Sequence, residues 1–277
     1  MRKRLCHLCL ITALLLAVAC QSPTKGTDEA AYETTELAYA DSTAHVDVSI
    51  TADYPTAGPC FLCDSVAHFI DNTLGGEHAA AADGQQMLDY YGKAMLEQMQ
   101  KMYDDFNVNS EDDGMEVGMF SHTSIKLAEN EAKYLTYVIE NEAYEGGAHG
   151  YTICYGVTIN KLTGIIERQL LKNTSSEAFR QLLVAGLMHY FSQFSPNPLT
   201  EEEQLADELL IDDMKELSLP GQSMPYLTKA GIVITYSPYE IATYAAGIPT
   251  FTIPFSEARP FMTKAAEQLI TENEKDT

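Results

Sequence analysis

Basic residues are scarce in this sequence, where 17 Lys and Arg stand against 40 Asp and Glu, a formal net charge of −23. A protein that binds the phosphate backbone of nucleic acid needs a basic face. No such face is visible, which indicates that nucleic acid is not the partner. The acidity is explained either by solubility alone or by attraction of a cationic partner, which raises the association rate more than the affinity.

The motifs of several enzyme classes are also absent. The sequence contains no G-x-S-x-G, no H-E-x-x-H, no P-loop and no dinucleotide fingerprint. The glycine-dense residues 146–150 lie between two predicted strands, so no helix N-terminus would point its N–H groups at a phosphate. No second pair of Cys or His stands at ligand spacing. The sequence therefore predicts neither a cofactor nor a metal site.

Beyond the N-terminus there is no apolar run long enough to span a bilayer, which needs about 20 residues. At the N-terminus, three basic residues precede an apolar run over 10–18, and small residues then lead to Cys20. This pattern predicts a bacterial lipoprotein signal peptide over 1–19 with lipidation at Cys20, the alternative being a freely secreted chain. Gln21 after the cysteine, rather than Asp, favours the outer membrane, on its periplasmic or surface face.

The stretch that follows the predicted lipidation site has no helical or strand period. Residues 20–41 are rich in Ser, Thr, Ala and acidic side chains. Such a composition cannot bury enough apolar surface to fold alone. We therefore predict a disordered tether over 20–41.

Cysteine is scarce as well: apart from Cys20, only Cys60, Cys63 and Cys154 remain after the signal peptide. Cys60 and Cys63 have C-x-x-C spacing, but the preceding strand and the β-α-β context of a thioredoxin-like site are missing. The spacing is explained either by a local Cys60–Cys63 disulfide or by two small buried residues at the start of a helix.

Hydrophobic periodicity predicts an α+β fold, since helices and strands come in blocks rather than in strict alternation. We expect antiparallel sheets packed with helices in two subdomains, over 42–145 and 146–277. The predicted helices span 61–74, 83–106, 176–194, 201–210 and 256–270. The predicted strands span 45–54, 120–128, 134–144, 151–160, 224–228, 231–236 and 250–254.

The segment 236–247, YSPYEIATYAAG, is the most informative part of the chain. Proline fixes φ near −65° and starts a turn, glycine allows a left-handed exit, and tyrosine adds contact area at low entropy cost. A tyrosine-bearing connection between two strands is either a recognition surface or a structural corner. The candidate binding residues are Pro238, Tyr239, Glu240, Tyr244, Gly247 and His149.

His149 allows a second interpretation. As a general base it would need a carboxylate or nucleophile close in space, which sequence cannot supply. The alternative is a histidine whose hydrogen bonds fix the start of a strand.

Residues 226–255, together with Gly146-Gly147-Ala148-His149, closely resemble the C-terminal domain of the extracellular region of anti-sigma-V factors, which sense lysozyme. The same domain pair is similar to the non-catalytic N-terminal part of certain peptidoglycan deacetylases. The resemblance covers roughly residues 43–270 and implies recognition rather than chemistry. Two departures matter: no transmembrane helix with a cytoplasmic sigma-binding segment is present, and His122-Thr123-Ser124 does not continue to a second metal-ligating histidine.

These observations together predict a lipid-anchored, non-catalytic binding module of the cell envelope. The expected partner is a lysozyme-like cationic protein or peptidoglycan, and membrane contact is expected only through the N-terminal lipid. Two alternatives stay open: a cell-wall glycan or peptide hydrolase with a site centred on His149, and a structural envelope lipoprotein.

Overall fold

The computed structural model describes residues 31–78, 83–108, 118–195 and 197–270. The predicted signal peptide, Cys20 and the first part of the predicted tether lie outside these ranges. Within them, no helix has both the length and the apolarity needed to cross a membrane.

A five-stranded sheet with two helices forms the N-terminal lobe. Its order is β1-β2-β3-β4-β5, and every neighbouring pair is antiparallel except β2–β3, which is parallel. A parallel pair requires a long crossover, which the two helices between these strands supply. The elements are β1 (Glu33–Ser42), β2 (Val46–Ala57), α1 (Cys60–Leu74), α2 (Gly84–Val108), β3 (Met119–Asn130), β4 (Tyr134–Tyr144) and β5 (Tyr151–Asn160).

Strand β1 corrects the predicted tether, because residues 33–41 are ordered and pair with β2. The exposed face of β1 carries the polar side chains that made the segment look disordered. Its other face packs: Tyr39 is 7% exposed, and its ring lies against Gly92 of α2. Pairing with β2 and this contact supply the stabilisation that composition alone does not reveal.

Helices α1 and α2 pack on one face of the sheet and bury the first core. Met87 and Met99 of α2 are buried in this core, each 1% exposed, and Met102 packs against it, as helical spacing predicts, whereas Met95 is 36% exposed and lies outside it. The long strands β3, β4 and β5 agree with their predicted positions, since regular alternation of apolar and polar residues marks a half-buried strand.

The C-terminal lobe has its own three-stranded antiparallel sheet and core. Helix α4 is shorter than predicted. The predicted last helix is broken, because Pro260 lacks an N–H group and occupies a 3₁₀ turn between its two halves. The elements are α3 (Glu177–Ser192), α4 (Glu202–Ala206), β6 (Tyr226–Leu227), β7 (Gly231–Thr235), β8 (Thr250–Pro254), α5 (Phe255–Ala258) and α6 (Lys264–Ile270).

The predicted boundary between subdomains, at residues 145 and 146, is misplaced. Strand β5 pairs with β4 along its whole length, so it belongs to the N-terminal lobe and the boundary follows residue 160. The glycine-rich stretch that suggested a boundary is the loop of a β-hairpin inside the sheet.

Two buried threonines join the lobes. Thr136 Oγ1 donates to the Leu227 carbonyl at 2.6 Å, and the Leu227 N–H donates to Thr158 Oγ1 at 2.8 Å. Both threonines are fully buried, so removing a hydroxyl leaves a Leu227 backbone group without a partner.

We expect Thr158→Val to lower the free energy of unfolding by about 1–3 kcal/mol, since the change strands a buried N–H donor at nearly constant volume. Denaturant titration measures this. Thr252→Val, on an exposed position of β8, is the matched control and should change little. If the two variants unfold at the same denaturant concentration, the hydrogen bonds of Thr158 and Leu227 do not stabilise the contact between the lobes.

Candidate functional site

Two loops from different lobes meet at the end of the five-stranded sheet where β5 begins. The β4–β5 loop carries His149, and the connection between β7 and β8 carries Tyr239 and Tyr244. The hydroxyl of Tyr239 lies 3.2 Å from His149 Nε2. The His149 ring stacks on Tyr244 with centroids 4.1 Å apart, and the two tyrosine rings stack at 5.8 Å. The two loops thus form one aromatic cluster.

Beside this cluster opens a cavity of about 390 Å³, which we call the aromatic cleft. One wall comes from the start of β5 and the other from the connection after β7. No Lys, Arg, Asp or Glu side chain lines it. Its lining residues are His149, Tyr151, Thr152, Ile153, Tyr155, Gln222, Ser223, Ser237, Pro238, Tyr239 and Tyr244.

A strained turn presents Tyr239 to the cleft. The φ of Tyr239 is 64°, in the left-handed region that residues other than glycine rarely adopt, and its side chain is 56% exposed. The Glu240 carboxylate holds this turn by accepting the Ser237 N–H at 2.8 Å and the Gly221 N–H at 2.6 Å. Strain of this kind persists only where surrounding bonds enforce it, and it concentrates at functional sites.

Four of the six predicted binding residues, Pro238, Tyr239, Tyr244 and His149, line the aromatic cleft. The other two predictions are corrected. Glu240 is engaged by backbone N–H groups and shapes the turn instead of lining the cleft. Gly247 has a φ of 74° and ends the 3₁₀ turn Tyr244–Ala246, so its role is the left-handed exit.

The side of the cleft that β5 contributes was not predicted from the sequence. Tyr151 and Ile153 are 39% and 40% exposed, and with Tyr155 they occupy alternate positions on one face of the strand. This i, i+2 pattern of large apolar residues is the signal that could have found them. The sequence predicts the strand but does not show that this face is left uncovered, because it does not show where the covering helices end.

His149 makes two hydrogen bonds in the structure. Its Nδ1 lies 2.7 Å from the Gly150 carbonyl, so Nδ1 carries the proton and Nε2 accepts from the Tyr239 hydroxyl. Its hydrogen-bond partners among the described residues include no carboxylate. Glu145, the acidic residue in the same loop, accepts from the Tyr151 hydroxyl at 3.4 Å.

The three cysteines in the described ranges are free thiols. Burial, together with the negative charge of the neighbouring Glu140, raises the pKa of Cys154 to about 11, which keeps this thiol protonated at neutral pH. Cys60 and Cys63 are unbonded, which contradicts the first of the two explanations of their spacing, a local disulfide. Their helical spacing leaves Cys60 exposed while Cys63 packs against the first core.

Within the described ranges, no group of three or more His, Cys, Asp or Glu could hold a metal ion.

Residues 156–256 match the model of a family described as a protein of unknown function, DUF3298. A solved structure described as a member of the DUF3298 family from Bacteroides fragilis NCTC 9343 is 19% identical, with a TM-score of 0.72 over 89% of this chain and 100% of its own. A DUF3298 family protein from Pseudomonas aeruginosa PAO1 is 15% identical, with a TM-score of 0.51 over 86% and 97%. No curated protein matches the chain.

These likenesses confirm the α+β fold and carry no function with them. The resemblance to anti-sigma-V factors and deacetylases stays a prediction.

Proposed function

We propose that this protein is a lipid-anchored, non-catalytic binding module of the cell envelope that holds peptidoglycan glycan in the aromatic cleft. The lining carries this proposal: aromatic rings alternate with hydroxyl and amide groups, and no charged carboxylate or ammonium is among them. Such a surface fits a neutral ligand with apolar faces and hydrogen-bonding edges. N-acetylated sugars have this chemistry. The concave shape also suits a chain-like ligand better than a flat protein face.

The surroundings of the cleft support binding without turnover. Glycoside hydrolysis ordinarily uses two carboxyl groups on either side of the scissile bond, and the cleft lining supplies neither. Both nitrogens of His149 are engaged by a carbonyl and a phenol, and the Cys154 thiol is protonated. We therefore favour recognition over a His149-centred hydrolase.

A lysozyme-like cationic protein is a second candidate, favoured by the charge near the cleft. The segments that line the cleft, residues 140–155 and 236–244, contain no Lys or Arg, yet they carry four glutamates: Glu140, Glu142, Glu145 and Glu240. A field of one sign speeds the approach of a partner of the opposite sign and weakens as salt is added.

Anchoring is proposed from the sequence, where the signal peptide over 1–19 and Cys20 have the pattern of a bacterial lipoprotein. Gln21 favours the outer membrane. A module anchored there would lie within reach of peptidoglycan, which is the partner that the cleft fits.

Calorimetric titration of the purified protein with peptidoglycan oligomers, at low and high salt, tests this function. We expect saturable binding that salt changes little, and no shortening of the oligomers. Binding of a lysozyme, with an affinity that falls as salt rises, would favour the second candidate. Binding of neither ligand, or turnover of the oligomers, would contradict the proposal.

A further inference from the structure

The five-stranded sheet has two ends, and the aromatic cleft occupies one of them. The opposite end, which we call the tether end, is where β1 begins, β2 and β3 finish, and the β4–β5 pair has Tyr134 opposite Asn160. Strand β4 joins the two ends with 11 residues, a length of about 35 Å at about 3.4 Å per residue.

The chain leaves the described structure toward its N-terminus at the tether end. Tyr32 is 5% exposed, its carbonyl accepts from Asn130 Nδ2 at 3.1 Å, and its hydroxyl bonds that of Tyr137 at 2.8 Å. The exit is therefore fixed beside the β3–β4 turn. Only residues 21–31 separate it from Cys20, so their covalent reach is at most about 40 Å.

Three large apolar side chains are exposed at this same end. Phe61, at the start of α1, is 46% exposed, and Leu162 and Ile165, in the turn after β5, are 67% and 62% exposed. The turn lies against the helix, because a Cβ on Gly164 would contact both Ser65 and the Phe61 ring. Single exposed apolar residues are ordinary, but a group of three beside a chain exit indicates a contact surface.

Four cations stand against five carboxylates here, although the chain as a whole is strongly acidic. Glu129 and Glu131 lie 3.6 and 3.1 Å from Lys229 Nζ. Glu167 accepts from Asn160 at 2.8 Å. The cations at this end are Lys133, Lys161, Arg168 and Lys229, and the carboxylates are Glu33, Asp64, Glu129, Glu131 and Glu167. This end therefore meets less repulsion from anionic headgroups than the cleft end, whose lining segments carry glutamates and no Lys or Arg.

We propose that the tether end docks on the phospholipid surface that holds the lipidated Cys20, with Phe61, Leu162 and Ile165 entering the headgroup region. This inference rests on the proposed lipid anchor. Apolar side chains next to a tether strengthen membrane contact, because one lipid anchor by itself binds weakly and a second contact adds to it. Docking in this orientation turns the aromatic cleft about 35 Å away from the membrane, toward the cell wall.

The absence of tryptophan from the chain allows a direct test. Leu162→Trp places a single tryptophan at the tether end. Phe194→Trp places one in the C-terminal lobe, at a position that is 72% exposed and meets the Tyr190 ring edge to face. Each full chain is purified from membranes and reconstituted in phosphatidylethanolamine–phosphatidylglycerol vesicles containing brominated lipid. We expect blue-shifted emission, quenched at least twofold, for Leu162→Trp and unquenched emission for Phe194→Trp.

Equal, unquenched emission from both variants would overturn the docking inference, as would absence of the mature chain from the membrane fraction. Titrating the same vesicles with peptidoglycan oligomers separates the two proposals. Quenching without oligomer binding leaves docking standing and removes the glycan function. Oligomer binding without quenching removes docking alone.

Discussion

Replacing Tyr239 and Tyr244 together by alanine is expected to weaken binding of a peptidoglycan oligomer about 100-fold. The two rings stack 5.8 Å apart on one wall of the cleft, beside His149, so removing them takes away both the apolar faces and the stacking partner of the histidine. Exposed aromatic side chains at the centre of a concave site each contribute about 1–2 kcal/mol or more to binding.

The double variant should keep its fold, because both rings lie outside the buried cores. Tyr90→Ala is the matched control, since Tyr90 is a 43% exposed tyrosine on α2 that does not line the cleft. Calorimetry of the three proteins measures the effect. Unchanged affinity in the double variant would show that the ligand binds elsewhere. A large fall in its melting temperature would show that residues 236–247 form a structural corner.

Glu240→Ala is expected to lower the free energy of unfolding by about 1–2 kcal/mol, and to weaken ligand binding as well. The Glu240 carboxylate accepts the N–H groups of Ser237, Gly221 and Gln222 at 2.8, 2.6 and 3.3 Å. Hydrogen bonds to a charged group contribute about 1.5–3 kcal/mol each when buried, and less where solvent reaches them. Without these bonds, the turn that sets the left-handed φ of 64° at Tyr239 keeps only the bond from the Glu240 N–H to the Ser237 carbonyl and the contacts of Tyr239 with His149 and Tyr244.

Thermal melting and calorimetry together test this role of Glu240. Glu257→Ala removes an exposed carboxylate from the same lobe and should leave both measurements unchanged. Glu240→Gln retains one acceptor oxygen and should fall between the wild type and Glu240→Ala. A Glu240→Ala variant that melts like the wild type would contradict the view that this side chain builds the cleft.

Elements whose periodicity comes from one-sided burial could be predicted from the sequence. The stripe that includes Met87 and Met99 located α2, and alternation located β4 and β5 nearly to the residue. One face of each of these elements packs on the first core, so the pattern along the chain records the burial, although β4 and β5 also bury Thr136 and Thr158 against the C-terminal lobe.

Elements stabilised by distant partners could not be predicted in this way. Strand β1 looked like tether because its exposed face is polar and its support comes from Tyr39 against Gly92, more than 50 residues away. One part of the cleft was predicted from the sequence, namely the tyrosines of residues 236–247 and His149. Their meeting with Tyr151 depends on how the two lobes dock, which no local pattern contains.

Glycan binding in the aromatic cleft is tested most directly by NMR of the protein with isotope-labelled tyrosine and histidine. Titration with a disaccharide of peptidoglycan should shift the signals of Tyr239, Tyr244 and His149 in proportion to occupancy and leave Tyr90 unmoved. Signals that stay in place throughout the titration, or that move only at residues outside the cleft, would contradict the account.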